Sequence, residues 1–281
     1  MAFTIVGDAA VISGDCANSR CAAVFTGGNT DDYYQVDALA AARTAANDTV
    51  GTIIAWINTG DITSTGTILG FGDKNVVEFI DFSLEAGKLA SRCTDATTAQ
   101  YVSVTSNVVV SAHKWYHVAM VQAADGVGIK FYVNGVRVAS SNTTTTDVNE
   151  WFNNLDGVDS GRIGASNKAG DDSVTNEFVG AISDLKYYNT ALTEQNILDD
   201  YHGAHLTTGC ISWYDWLDGT SLTDKATGGG TYDATAVSDV YLTPTYNEFI
   251  SKVRKFGAVV ADTAGYCENN GRMSVLFINA A

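Results

Sequence analysis

Proline is almost missing from this chain: Pro244 is the sole one in 281 residues. That, with 27 glycines in no three-residue period, excludes collagen-like and proline-rich spacer architectures. Basic residues are also scarce, 16 against 32 acidic, for a formal net charge of −16. Such a field repels phosphate backbones, so nucleic-acid binding through a basic patch is excluded. No run approaches the ~20 apolar residues that a spanning helix needs, and no membrane span is expected. The five cysteines, Cys16, Cys21, Cys93, Cys210 and Cys267, are scattered, odd in number and without a CxxC pair, so they do not form a disulfide framework. Ordinary buried thiols are expected, with a Cys16–Cys21 pair across a short loop as the alternative. The first residues, MAFTIVGDAAVISGD, carry no basic stretch, and Gly7 and Asp8 cut their apolar run. A secretory signal is therefore not expected, and synthesis in a cytoplasm is.

Plenty remains to build with. Apolar residues make up 46% of the chain and aromatics 10%, enough for a core and against disorder. From residue 22 to about 188 the sequence breaks into short β-branched or aromatic runs divided by Gly, Asn, Asp, Ser and Thr. Examples are Cys21 to Phe25, Tyr33 to Val36, Gly51 to Ile57, Thr67 to Phe71, Val76 to Phe82, Trp115 to Gln122 and Gly128 to Val133. Several alternate in polarity, the pattern of half-buried strands. Asn134-Gly135 between IKFYV and VRVAS is a strong hairpin signal, because a type I′ turn needs φ > 0 at both central residues. Many short strands with such turns predict an all-β, antiparallel β-sandwich.

Two short helices interrupt it. Thr193 caps one that runs to about Tyr201, with Gly203 as its stop. A second is expected over Tyr246 to Phe256, with Thr245 and Glu248 as a capping box and Gly257 beyond its end. Residues 206 to 245 read as further strands and loops around a Gly-Gly-Gly at 228 to 230, and the tail reads as a hairpin turning at Asn270-Gly271.

The motifs then point to a family. AVFTGGNTDDYYQV (23 to 36), GTIIAWIN (51 to 58), HKWYHVAMVQAADGVGIKFYVNGVRVAS (113 to 140), RIGAS (162 to 166) and FVGAISDLKYYNTALTEQNI (178 to 197) resemble, in order and spacing, the strands of laminin-G-like, concanavalin A-like jelly rolls. The resemblance implies a jelly-roll body over 22 to 237, an N-terminal segment over 1 to 21, and a helix-and-hairpin extension over 238 to 281. CISWYDWLDGTSLTDKATGGGTYDATAV (210 to 237) resembles a strand pair that often opens such jelly rolls; placed late, it is expected to return to the sheet. EFISKVRKFGAVVADTAGYC (248 to 267) resembles the tails of tailed-phage structural proteins.

Candidate sites follow from chemistry. Glucanases share this sandwich, and retaining hydrolysis needs two carboxylates about 5 Å apart. Glu78, Asp81 and Glu85 are the nearby candidates, but offsets of three and seven put Glu78 on the opposite strand face from the other two, so no enzyme is expected. His113 and His117 share a strand face about 13 Å apart, too far to chelate together, and His202 and His205 fall at a helix end as surface histidines. Asp184, between Ile182 and Leu185, is expected to anchor structure. The acidic clusters Asp31-Asp32 and Asp171-Asp172 with Asn176 read as solvated turns, or alternatively as Ca²⁺ loops, since a hard cation takes oxygen ligands. Trp151 in DVNEWFNNLDG, with Asn149, Asn153, Asn154 and Asp156, is the candidate glycan platform; the other reading is that Trp151 tucks under its loop or packs on a neighbouring subunit. No cofactor is required by any motif. The sequons at Asn47 and Asn142 carry no meaning without secretion.

Together these imply a non-enzymatic structural protein on the virion surface of a tailed phage, assembled in the host cytoplasm. It would serve as capsid decoration, head fibre or tail appendage, docked on virion proteins and built as a homo-oligomer, for instance a trimer. A host glycan is a candidate partner. The alternative is a carbohydrate-binding module or adhesin.

Overall fold

A computed structural model describes residues 14–15, 22–27, 32–95, 100–105, 107–144, 147–216, 223–227, 231–237, 241–242 and 272–273. In chain order the strands are β1 (Gly14–Asp15), β2 (Ala23–Phe25), β3 (Tyr33–Gln35), β4 (Gly51–Thr59), β5 (Thr65–Gly72), β6 (Phe79–Glu85), β7 (Lys88–Thr94), β8 (Gln100–Thr105), β9 (Trp115–Gln122), β10 (Lys130–Val133), β11 (Val136–Val138), β12 (Ser140–Thr144), β13 (Ser160–Ile163), β14 (Gly180–Tyr188), β15 (Cys210–Tyr214), β16 (Thr235–Val237), β17 (Tyr241–Leu242) and β18 (Arg272–Met273). Helix α1 spans Asp37–Ala46 and α2 spans Glu194–Tyr201.

All the strands but β1 and β18, which pair with each other, form two antiparallel sheets packed face to face. The first runs β11-β10-β9-β4-β14-β2-β17, with β15 also on β14; the second runs β12-β8-β7-β6-β5-β13-β3-β16. Alternation decides what lies between them. On β4, Ile53, Ala55 and Ile57 enter the shared core while Ile54 and Trp56 face outward; on β6, Ile80, Phe82 and Leu84 enter it while Asp81 and Ser83 do not. One edge of β14 is shared, β2 taking residues 180–182 and β15 taking 185–188. The late segment at 210 therefore does return to the sheet, and β17 adds a strand from beyond residue 237.

Local signals held where they were specific. Asn134 and Gly135 have φ of 50° and 78° and close the β10–β11 hairpin. The Thr193 hydroxyl accepts from the Asn196 amide and caps α2. Two expectations need correction. The strand expected from Val76 begins at Phe79, because the Asp73 carboxylate accepts the amides of Asn75 and Val76 and turns the chain there, leaving Val76 and Val77 exposed. The sequence also gave no warning of α1. Its N-cap is Val36, with no side-chain cap, and Asp37 instead accepts from Gly161 N and Lys74 Nζ, tying the helix to β13 and the 74 loop. The helix expected over Tyr246 to Phe256, the turn at Asn270-Gly271, and Cys16, Cys21 and Cys267 lie outside the described residues; Arg272–Met273 pairs with Gly14–Asp15. Cys93 and Cys210 are free and buried.

Candidate functional site

The expected glycan platform is not one. Trp151 is fully buried, its ring against Gly51 at the start of β4 and edge-on to Phe152, which packs on Phe71. An apolar indole gains more from the core than from water, so the tucked alternative is what the fold adopts. Its polar neighbours build the loop. Asn149 Oδ1 accepts from Gly126 N, Asn153 N donates to Asp48 O, and Asn154 Oδ1 accepts from Trp151 N. The amides of Asp156 and Gly157 donate to the two carboxylate oxygens of Glu78 at 2.8 and 2.9 Å.

The other carboxylates of the hydrolase test are engaged as well. Asp81 Oδ1 accepts from Arg92 N and Oδ2 pairs with Lys168 at 2.5 Å, while Glu85 pairs with Arg92. His117 is buried on β9, bonded to Asp200, whereas His113 sits exposed in the turn before β9. His205 lies against the Trp213 ring at 4.5 Å.

At the second expected Ca²⁺ loop the cation is part of the chain. After Gly164, residues 164–178 fold back over the outer face of β5 and β13, an approach that the bare backbone of Gly70 and Gly72 permits. Beneath them Arg162, 2% exposed, sends Nη1 to Ser166 O (3.2 Å) and Ser173 O (2.7 Å), and Nη2 to Asp172 O and Oδ1 (both 2.6 Å). Three carbonyls and a carboxylate oxygen thus meet a guanidinium rather than one another. Asp171 caps Ser173 N, and the Asn176 carbonyl accepts from Thr67 N. At the first loop Asp32 is buried and accepts from the Thr26 hydroxyl at 2.5 Å; Asp31 lies outside the described residues. Among the described residues no three His, Cys, Asp or Glu side chains converge as a metal set.

A cleft lies elsewhere. Where the chain leaves the β10–β11 hairpin of the first sheet for β12 of the second, the sheet edges part around a space of about 340 Å³, within the ~300–1,000 Å³ range of small-ligand sites. Val127, Ile129, Val138 and Ala139 give it apolar walls; Arg137, Ser140 and Asn142 give it polar ones. Its floor is stitched by the Tyr101 hydroxyl, which accepts from Ile129 N at 2.8 Å and donates to Asn142 Oδ1 at 3.1 Å. Arg137 is 45% exposed, and its approach to Glu194 is a loose 3.9 Å, so its donors remain free to turn toward a ligand. Apolar walls with a few hydrogen-bonding groups suit a pyranose, which has both C–H faces and a hydroxyl rim.

The family described as "Concanavalin A-like lectin/glucanases superfamily" matches residues 27–198, a span that includes this cleft and strands β3 to β14. The chain belongs to the concanavalin A-like lectin/glucanases superfamily. Among solved structures, this superfamily member is similar to the CBM40 of the Ruminococcus gnavus IT-sialidase bound to α2,3-sialyllactose, with TM-score 0.51, 15% identity, and coverage of 64% of this chain and 97% of that one. It is also similar to a candidate carbohydrate-binding protein from Bacteroides ovatus, with TM-score 0.53, 18% identity, and coverage of 81% and 60%. At such identities the likeness is one of fold. No curated protein matches.

Sequence reasoning passed over Arg137, Ser140 and Asn142 in this superfamily member because nothing in VRVASSN announces that two sheets part at Ala139. The available signal was the hairpin itself, which fixes where the first sheet ends.

Proposed function

We propose that the protein is a non-catalytic glycan-binding jelly roll carried on the surface of a tailed-phage particle, as capsid decoration, head fibre or tail appendage. The observation that carries the glycan reading is the cleft of about 340 Å³ with Arg137, Ser140 and Asn142 on its rim and aliphatic walls behind them. Carbohydrate-binding modules among the similar folds support it. The engagement of Glu78, Asp81 and Glu85 in loop and ion-pair contacts supports the absence of catalysis. The virion placement is supported by the tail-like sequence at 248 to 267 and implies virion proteins as partners.

The test is calorimetric titration of the purified protein with neutral and acidic oligosaccharides, with and without Ca²⁺. Saturable binding is expected, weakened about tenfold or more in Arg137→Ala and in Asn142→Ala, as loss of one or two hydrogen bonds predicts. Trp151→Phe, changed in the core, should leave affinity unaltered. Absence of saturable binding across the panel overturns the glycan reading. Release of reducing ends from any glycan, abolished by Glu78→Gln, overturns the non-catalytic one. Protein absent from purified particles overturns the virion placement, and light scattering tests the homo-oligomer.

A further inference from the structure

Beneath α2, on the outer face of the first sheet, lies a sealed group of ionisable side chains, none of which lines the cleft. The Lys186 side chain is 1% exposed, and its Nζ donates to Asp184 Oδ2 at 3.0 Å and to Asp200 Oδ2 at 2.7 Å, both carboxylates being 0% exposed. Asp184 is the residue inserted where the β14–β4 register shifts, with φ of 51°. Its other oxygen accepts from Trp213 Nε1 at 2.6 Å. Asp200, near the end of α2, bonds His117 Nε2 at 3.0 Å through its second oxygen. Aromatic rings box the group in. Trp213 stands 5.7 Å from Nζ, Tyr201 stacks on Trp56 at 5.7 Å, and His117 meets Trp56 edge-on at 5.4 Å. Burial acts to raise the Asp200 carboxyl, but its hydrogen bond with His117 and the Lys186 charge outweigh that and hold it below the usual range. The contacts are those of an amine held between two carboxyl groups.

An amine in contact with two carboxyl groups in a dry box holds every reactant of an amide. We propose that Lys186 and Asp200 condense to an intramolecular isopeptide bond that pins α2 to β14. Asp184 takes one proton from the ammonium and passes it to the Asp200 carboxylate, and the freed Nζ attacks Cγ of the resulting neutral acid. The C–N bond forms, one C–O bond breaks, and the departing oxygen leaves as water. It carries the two protons lost from nitrogen, both relayed in turn by Asp184, the second carboxylate in contact with Nζ. No oxidant or co-reactant is involved. Contact geometry supplies the effective concentration. The driving force is the removal of one buried positive and one buried negative charge, whose desolvation is costly. The second carboxylate on the same amine separates this group from a simple ion pair, because it provides the proton relay.

The experiment is the intact mass of the full chain, kept folded after purification and then denatured for electrospray. A mass lower than the sequence mass by one water is expected. Trypsin should fail at Lys186, leaving residues 169–225 as one peptide whose fragments join 186 to 200. Lys186→Arg retains the charge but forms no amide, and should return to the sequence mass. Asp200→Asn should lose one ammonia in place of water, which identifies residue 200 as the electrophile. An Asp-Gly succinimide also loses water, but hydroxylamine cleaves it and leaves the side-chain amide intact. An unshifted wild-type mass overturns the proposal, as does a water loss that persists in Lys186→Arg. Should Asp200→Asn fail to fold, the wild-type mass and fragment map decide alone.

Discussion

Among the described residues, Lys186 and Arg162 are the most deeply buried lysine and arginine, one on each outer face of the sandwich, and they are held in different ways. Lys186, on the first sheet, meets two fully buried carboxylates, one of them bonded to His117. Arg162, on the second, meets three backbone carbonyls and a single carboxylate, that of Asp172, which is 51% exposed. A compact ammonium needs formal charge around it, whereas a planar guanidinium fans its donors across a loop. The first arrangement seals a helix onto a sheet. The second folds a loop that would otherwise have needed a metal or water to satisfy its carbonyls.

Because the two sites differ in how much charge is at stake, they should fail by different amounts. The largest effect is expected from Lys186→Met, which strands Asp184 and Asp200 without a counter-ion; urea denaturation should show a loss of about 3–5 kcal/mol. A loss under 1 kcal/mol would mean that water reaches the cluster. Arg162→Ala should cost less, about 1–3 kcal/mol, because the freed carbonyls lie under a surface loop that water can enter. Hydrogen exchange should then quicken at 166–175 while β4 and β9 stay protected, and loss of protection throughout would erase the distinction. Arg162→Lys should rescue only partly, since an ammonium cannot span Ser166, Asp172 and Ser173 together.

The smallest effect belongs to an exposed carboxylate. Asp61 accepts from Thr63 N, the Thr63 hydroxyl and Ser64 N, and these bonds lower its pKa to about 2. A depressed acid contributes stability above its unfolded value, near 4, and loses it as pH falls through about 2. The 61–64 turn should therefore loosen between those limits, and Asp61→Ala should abolish that step in acid-dependent hydrogen exchange without moving the neutral-pH melting temperature by more than a degree or two. An unchanged acid profile in the variant would assign the step to other groups.

The sandwich, the Asn134-Gly135 hairpin and the Thr193 cap rest on local rules, a two-residue period, a positive φ and one hydroxyl at a helix start, and each holds in the structure. Trp151 defeated the same rules. Its polar neighbours suggested solvent, yet the glycine at 51 leaves an indole-sized space against β4 that only the folded chain reveals. Arg162 and Lys186 left a trace, a basic residue inside the apolar stretches SGRIGA and SDLKYY of a chain poor in base. Ser166 and Asp184 lie close by in sequence, but the remaining acceptors, Asp172 and Ser173 for Arg162 and Asp200 for Lys186, come from segments 10 to 14 residues downstream.

The sequence by itself thus determined the architecture and its family, because strand period and turn chemistry act over a few neighbouring residues. The tertiary structure alone decided which polar groups turn inward to satisfy one another and where the two sheets part to leave the cleft. Those outcomes depend on contacts between residues far apart in the chain, where burial gives a charge or an indole its partner.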